Sequence, residues 1–148
     1  MEKAHEMNNL LIDSDVILDY FLDRNPYSNS ATELLKLGKK DLVLRATPLT
    51  FANVYYILRK SGSHSKSINA LKYLADMVKI IKMNRYSVLN ALDSSWKDFE
   101  DALQYFSAVQ NDLIDVIITR NTKDYKGSIL SIMTPDEFLS AKTGFSNA

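Results

Sequence analysis

Five side chains with oxygen to offer stand where a folded chain could gather them: Asp13, Asp98, Asp101, Asn121 and Asp124. Asp13 follows the apolar run Leu10-Leu11-Ile12, where a buried strand would end. Asn121 and Asp124 follow a second such run, Val116-Ile117-Ile118-Thr119. Asp98 and Asp101 are three apart in a helical stretch and so share a face, which Gln104 continues. Carboxylates about 5 Å apart at an effective dielectric of about 20 repel by about 3 kcal/mol. A divalent cation makes such a cluster tolerable. Hard oxygen donors that leave water in the shell suit Mg2+ or Mn2+. A cation held this way lowers the pKa of a bound water and clamps a phosphate.

Each residue also has a purely structural reading. Asp13 and Ser14 are suited to cap a helix, and the residues alone leave cap and metal ligand open for Asp13. Asp98 stands three after Ser95, the spacing of a capping box, which favours a structural role. Asp101 is in no capping position and lies beside an apolar stripe, which favours function. Asp124 is equally at home in a turn facing water. Asn53 shares a helix face with Leu49, Tyr56 and Ile57, so its amide needs partners, either in the core or in the site. Asp15, Asp19 and Asp23 read as solvated helix or turn residues. His5 and His64 lack metal-ligand spacing and read as surface. Trp96 with Phe99 reads as core. The chain has no Gly-rich phosphate loop, nucleophilic Ser elbow or zinc pattern.

The elements that must position these residues follow from periodicity. A strand at 10–12 leads into a helix at 13–22, closed by Asp23-Arg24-Asn25-Pro26. A helix at 28–37 stops at Gly38. A strand at 41–46 precedes a helix that Pro48 opens and Ser61-Gly62-Ser63 ends. A helix at 67–77, a strand at 78–83 and a short helix at 88–92 come next. The helix at 95–110 carries Phe99, Ala102, Leu103, Phe106 and Val109 on one stripe. Strands at 116–119 and 129–133 and a helix at 135–141 complete the chain. Strands alternating with helices predict a three-layer α/β/α sandwich with a mostly parallel central sheet of four to five strands. In such sheets ligands bind outside the C-terminal strand ends, where Asp13 and Asn121 fall.

The 148 residues are 46% hydrophobic, enough for one cored domain, 1–148, with its core at about 8–140. A short polar N-terminus precedes it, and a loose tail is expected from Gly144 to Ala148. Lys+Arg and Asp+Glu both number 18, so no net charge draws in polyanions, although local patches remain open. The absence of Cys excludes disulfide and thiolate chemistry. No apolar run is long enough to cross a bilayer, and 1–8 has no signal-peptide core, so a cytoplasmic protein is expected.

The segments LLIDSDVILD at 10–19, TPLTFANVYYILR at 47–59, DFEDALQ at 98–104 and ITRNTKDY at 118–125, with MTPDEF at 133–138, resemble in this order the PIN domain. That is the fold of metal-dependent ribonucleases that includes VapC-type toxins. The resemblance implies three or four acidic residues around one or two Mg2+ or Mn2+ ions. Asp13 matches the family's first acid and Asp101 the acid of the Asp-Ala-Leu helix. The family's second and fourth acids fall at Asn53 and Asn121, both neutral here. A branch with Asn at these positions carries an Asp three residues later, as at Asp124. The resemblance implies hydrolysis of single-stranded RNA. Asp13 and Asp101 would be ligands, Asp124 a third or outer ligand, and Asn53 and Asn121 would position ligands or water. Arg59, Lys60, Arg120 and Lys123 are candidates to hold phosphates. It further implies an antitoxin protein as partner and a homodimer. The two amides equally suit a non-catalytic PIN-like module that binds RNA or protein. Asp13-Ser-Asp15-Val also resembles the start of haloacid-dehalogenase-type phosphatases. Asp13 would then be the nucleophile and Asp15 the acid/base, but the late acidic pair of that family is missing.

Overall fold

The computed structural model describes residues 7–38, 40–111 and 113–146, the last four by backbone alone. Five strands form one sheet: β1 (Asn9–Ile12), β2 (Val43–Ala46), β3 (Lys79–Ile80), β4 (Val116–Ile118) and β5 (Ser131–Met133). Their order is β3-β2-β1-β4-β5, and every neighbouring pair is parallel. Among the described residues seven α-helices connect or follow them: α1 (Ser14–Phe21), α2 (Ser28–Leu37), α3 (Pro48–Arg59), α4 (His64–Met77), α5 (Arg85–Asp93), α6 (Phe99–Val109) and α7 (Pro135–Ser146). This is the expected α/β architecture, a parallel sheet with helices on both faces.

The central strands are apolar throughout because both of their faces are covered. Leu10 and Ile12 join Leu44, Ala46, Val116 and Ile118 in one core, closed by residues of α1, α2, α3, α4 and α7. Leu11 and Ile117 face the other way, onto Tyr105 and Ala108 of α6 and onto Tyr125. Strand order reverses between β1 and β4, which lie side by side with Ile12 level with Ile118. The chain leaves both strands at the same edge. There the Asp13 N–H donates to the Ile118 carbonyl at 2.9 Å. A crevice at such a switch point is where open α/β sheets place ligands.

Several helix starts follow from their first residues. Thr47 caps α3 with Pro48 in the first turn, and Ser63 caps α4 by accepting the Lys66 N–H. That cap starts α4 three residues before the expected Ser67, whose hydroxyl instead donates to the Ser63 carbonyl. Asn84 and Ser87 make a reciprocal capping box at α5, which begins at Arg85 instead of Val88. α6 starts at Phe99, not Ser95, because Asp98 itself is the cap, accepting the Asp101 N–H at 3.0 Å. Its buried face is Ala102, Gln104, Tyr105, Ser107 and Ala108. The expected stripe is therefore rotated, and Phe99 is left 47% exposed. Small Ser107 and Ala108 let the helix approach the sheet, and Gln104 is buried because hydrogen bonds satisfy its amide. Trp96 stacks on Tyr105, with ring centroids 4.5 Å apart. β3 covers two exposed edge residues instead of the expected six. α7 continues through Gly144, where a loose tail was expected, and 147–148 lie outside the described residues, as does His5. Among the described residues no helix is long and apolar enough to cross a membrane.

Candidate active site at the C-terminal edge of the sheet

Asp13 stands at the end of β1 and caps α1. Its Oδ1 accepts the Ser14 N–H at 2.8 Å and the Gln104 amide N–H at 3.1 Å. Its Oδ2 accepts the Thr119 hydroxyl at 2.9 Å and, more loosely, the Tyr125 hydroxyl at 3.4 Å. Four elements therefore converge on one carboxylate: α1, α6, the end of β4, and the 3₁₀ turn Thr122–Tyr125 that follows it.

Asp15, two residues on, faces the same edge and is not a solvated helix residue. Its Oδ2 accepts the Arg120 backbone N–H at 3.2 Å and the Asn121 side-chain amide at 3.3 Å, with the Thr119 hydroxyl at 3.4 Å. Its Oδ1 is buried and has no hydrogen-bond partner. Burial, and then the nearby Asp13 carboxylate, push the Asp15 carboxyl up to about 7. Asp101, in the first turn of α6, is also pushed up to about 7. Burial is the largest cause, followed by the negative charges of Asp98, Asp13, Asp124 and Glu100. Asp13, Asp98 and Asp124 thus each lie within electrostatic reach of Asp101. Burial, and then the charges of Asp13, Asp101 and Asp15, keep the Tyr125 hydroxyl protonated well above its usual range.

Asn121 is exposed and reaches the cluster through its amide bond to Asp15. Asn53 is half-buried on α3, one turn after Thr50, which puts the two on one helix face. Its expected apolar neighbourhood is open at Tyr56, which is 70% exposed. Asp124 is exposed in the 3₁₀ turn. Of the basic residues, Arg120 is already committed. It pairs with Asp19 at 2.7 Å, and its guanidinium lies 4.0 Å from the Tyr27 ring centre. Asp19 is 1% exposed, so the solvated role expected for it is also wrong. Arg59 donates to the Gly62 carbonyl, while Lys60 and Lys123 are exposed. Asp23 is exposed in the turn after α1, as expected.

Asp15, Thr119 and Tyr125 are site residues that residue spacing did not single out, and Gln104 was placed on the polar face of its helix without a role. A usable signal existed for Asp15. It sits in the first turn of a helix whose cap is Asp13, so it had to lie near the same strand end.

The raised carboxyls set a pH dependence. Asp15 and Asp101 hold their protons more tightly in the fold, at about 7, than in an unfolded chain, at 3.8. Their contribution to stability is complete below about pH 3.8 and is lost as the pH rises through about 7. Thermal unfolding is expected to give a lower Tm at pH 8 than at pH 5.5. In Asp15→Asn that difference should shrink. An equal pH response in both proteins would remove Asp15 as a source.

The cluster offers hard oxygen donors, one of them buried and unpartnered, and carboxylates that repel one another. That chemistry fits Mg2+ or Mn2+, with Asp13, Asp101, Asp124 and Asp15 as the available oxygens. As placed, no three carboxylate or His side chains among the described residues stand close enough to hold one ion.

Residues 9–123 match the PIN domain family. No match to a curated protein sequence is found. Solved structures share the fold. VapBC-1 from nontypeable Haemophilus influenzae aligns with a TM-score of 0.65 at 17% identity, over 86% of this chain and 98% of that one. A toxin–antitoxin complex from Klebsiella pneumoniae gives 0.63 at 23% identity, over 85% and 97%. Mycobacterium tuberculosis VapC20, a sarcin-ricin loop cleaving toxin, gives 0.64 at 12% identity, over 81% and 96%. The match covers most of the chain, from β1 into the turn after β4, and takes in Asp13, Asp15 and Asp101, stopping one residue before Asp124; this protein belongs to the PIN domain family.

Proposed function

We propose that the protein is a Mg2+- or Mn2+-dependent endoribonuclease of the PIN type. It hydrolyses phosphodiester bonds in single-stranded RNA as the toxin of a toxin–antitoxin pair. The observation that carries this reading is that Asp13, at the switch point of the sheet, and Asp124 both lie within electrostatic reach of Asp101. Family membership and a fold neighbour that is a toxin–antitoxin complex support it. Asp13 and Asp101 would hold the ion, with Asp124 as a third or outer ligand. Bound there, the ion supplies an activated water and positive charge for the phosphate. The chain's own work is to fix Asp13 with four donors and to keep Tyr125 protonated. Through the Asn121 amide and the Arg120 N–H it also holds Asp15 against the loop after β4. Asn53 would place substrate or water by hydrogen bonds. An antitoxin that covers this edge is the expected partner, and a homodimer the expected assembly.

The test is cleavage of a single-stranded RNA with and without Mn2+, by the protein and by Asp101→Asn. Cleavage is expected to require the ion and to fall by about 10²–10³ in the variant, the range for losing one group that stabilises transition-state charge. Equal cleavage would remove Asp101 from the chemistry. Because the ion neutralises the carboxylates, millimolar Mn2+ should raise Tm more at pH 8 than at pH 5.5. A second reading, a PIN-like module without catalysis, is favoured by Asn at 53 and 121 and by the lack of three carboxylates closed about one point. Isothermal titration showing no Mn2+ binding at millimolar concentration, together with RNA binding, is the result it predicts.

A further inference from the structure

We infer that Gln104 is a positioning residue for Asp13, its amide anchored at the oxygen end by the Thr47 and Thr50 hydroxyls so that the N–H end holds the carboxylate in one rotation. Gln104 is 4% exposed and every bonding direction of its amide is used. Its Oε1 accepts the Thr47 hydroxyl at 3.2 Å and the Thr50 hydroxyl at 3.0 Å. Its Nε2 donates to Asp13 Oδ1 at 3.1 Å and to the Tyr125 hydroxyl at 2.9 Å.

The direction of these bonds is what matters. An amide oxygen can only accept and an amide nitrogen can only donate. Thr47 and Thr50 are themselves fully buried, at 0% and 1% exposed, and tied to the start of α3 by the Thr50 N–H bond to Thr47. Oε1 is an acceptor for both hydroxyl protons, and the Thr47 proton also has the Thr50 hydroxyl oxygen at 3.3 Å. A flipped amide would present its oxygen to a carboxylate, which can only accept. Asp13 therefore receives an N–H, and the two threonines anchor the oxygen end of the amide behind it. The Tyr125 hydroxyl accepts the second N–H, which frees its own proton to point at Asp13 Oδ2 at 3.4 Å. Every proton in the chain Thr47/Thr50–Gln104–Tyr125 thus runs toward Asp13. A residue on α6 transmits the position of the α3 N-terminus to the end of β1.

This inference rests on the proposed metal role of Asp13, and three readouts separate the two. The first is a crystal structure of Gln104→Met, an apolar side chain of similar length. The Asp13 carboxylate is expected to turn away from its present rotation, and an unchanged rotation overturns the inference whether or not a metal binds. The second is Mn2+ titration. Affinity is expected to fall about 10–100-fold, as for other residues that orient a ligand from behind. Equal affinity overturns the inference, whereas no binding by the unaltered protein overturns the metal reading and leaves the crystallographic result decisive. The third is RNA cleavage, where kcat is expected to fall with KM unchanged. If Gln104→Met does not fold, Thr50→Val removes one anchoring hydroxyl and leaves the Thr47 cap of α3 in place. A loss of Mn2+ affinity is again expected, and its absence in the folded variant overturns the inference.

Discussion

Asp13→Asn is expected to lower RNA cleavage by at least about a hundredfold while leaving the fold within about 1 kcal/mol of its original stability. The separation follows from what each atom of Asp13 does. As a helix cap, Asn serves as well as Asp, so α1 should keep its start. The oxygen retained by Asn can stay at the Oδ1 position, where it still accepts the Ser14 and Gln104 N–H groups. The new NH2 then replaces Oδ2 and meets two hydroxyls, Thr119 and Tyr125. A hydroxyl can turn and accept, and the Tyr125 proton gives up only its long 3.4 Å contact with Oδ2. Thr119 already has Asp15 Oδ2 within reach for its own proton, at 3.4 Å. Removing the Asp13 charge also relieves Asp15 and Asp101, both of which it pushes up. The loss is therefore confined to the negative oxygen offered to a cation. Paired measurement of cleavage and thermal unfolding checks this. Retained cleavage removes Asp13 from the mechanism. Cleavage and Tm lost together would make Asp13 a structural cap.

The layout of strands and helices was legible because each buried strand is uniformly apolar and each long helix is periodic. Leu10-Leu11-Ile12 and Val116-Ile117-Ile118 can only be covered on both faces, and that dictates helices on both sides of a parallel sheet. Once β1 and β4 are neighbours, the residues that follow them must share an edge, which is why Asp13 and Asn121 could be brought near each other from the sequence. What stayed hidden is charge that faces inward. Asp15 and Asp19 lie four apart on one face of α1, and such a face ordinarily meets water. Here it meets the loop after β4, and Arg120 is 101 positions away from Asp19 in the chain. No local period records such a partner. Gln104 was read as part of a polar face for the same reason. Its burial depends on Thr47 and Thr50, which another strand and helix deliver. Phe99 shows the converse. It fits the apolar stripe of α6, yet the cap at Asp98 places it in the first turn, beyond the sheet edge and half in solvent.

Asp19 is the inward charge whose loss should cost the fold most. It is 1% exposed and sits between two arginines, accepting Arg24 Nε at 2.8 Å on Oδ1 and pairing with Arg120 Nε at 2.7 Å through Oδ2. Those arginines belong to the turn after α1 and the loop after β4, so one carboxylate pins both to the helix. Removing one partner from a fully buried pair costs about 3–5 kcal/mol, because a charge is left behind in the interior. Here the guanidinium side chains are 37% and 25% exposed and can turn partly to water. Asp19→Ala is therefore expected to cost about 2–3 kcal/mol, below the fully buried range. For a chain of this size that is a fall in Tm of about 6–12 °C. Replacing Arg120 by Met in the same protein removes one of the two stranded charges, so the double variant should recover part of the loss. Because the Arg120 N–H also holds Asp15 Oδ2, Asp19→Ala should reduce cleavage even at temperatures where it is fully folded. A shift in Tm of under about 2 °C, equivalent to roughly 0.5 kcal/mol, would mean that the two arginines find other partners and that Asp19 does not anchor the loop.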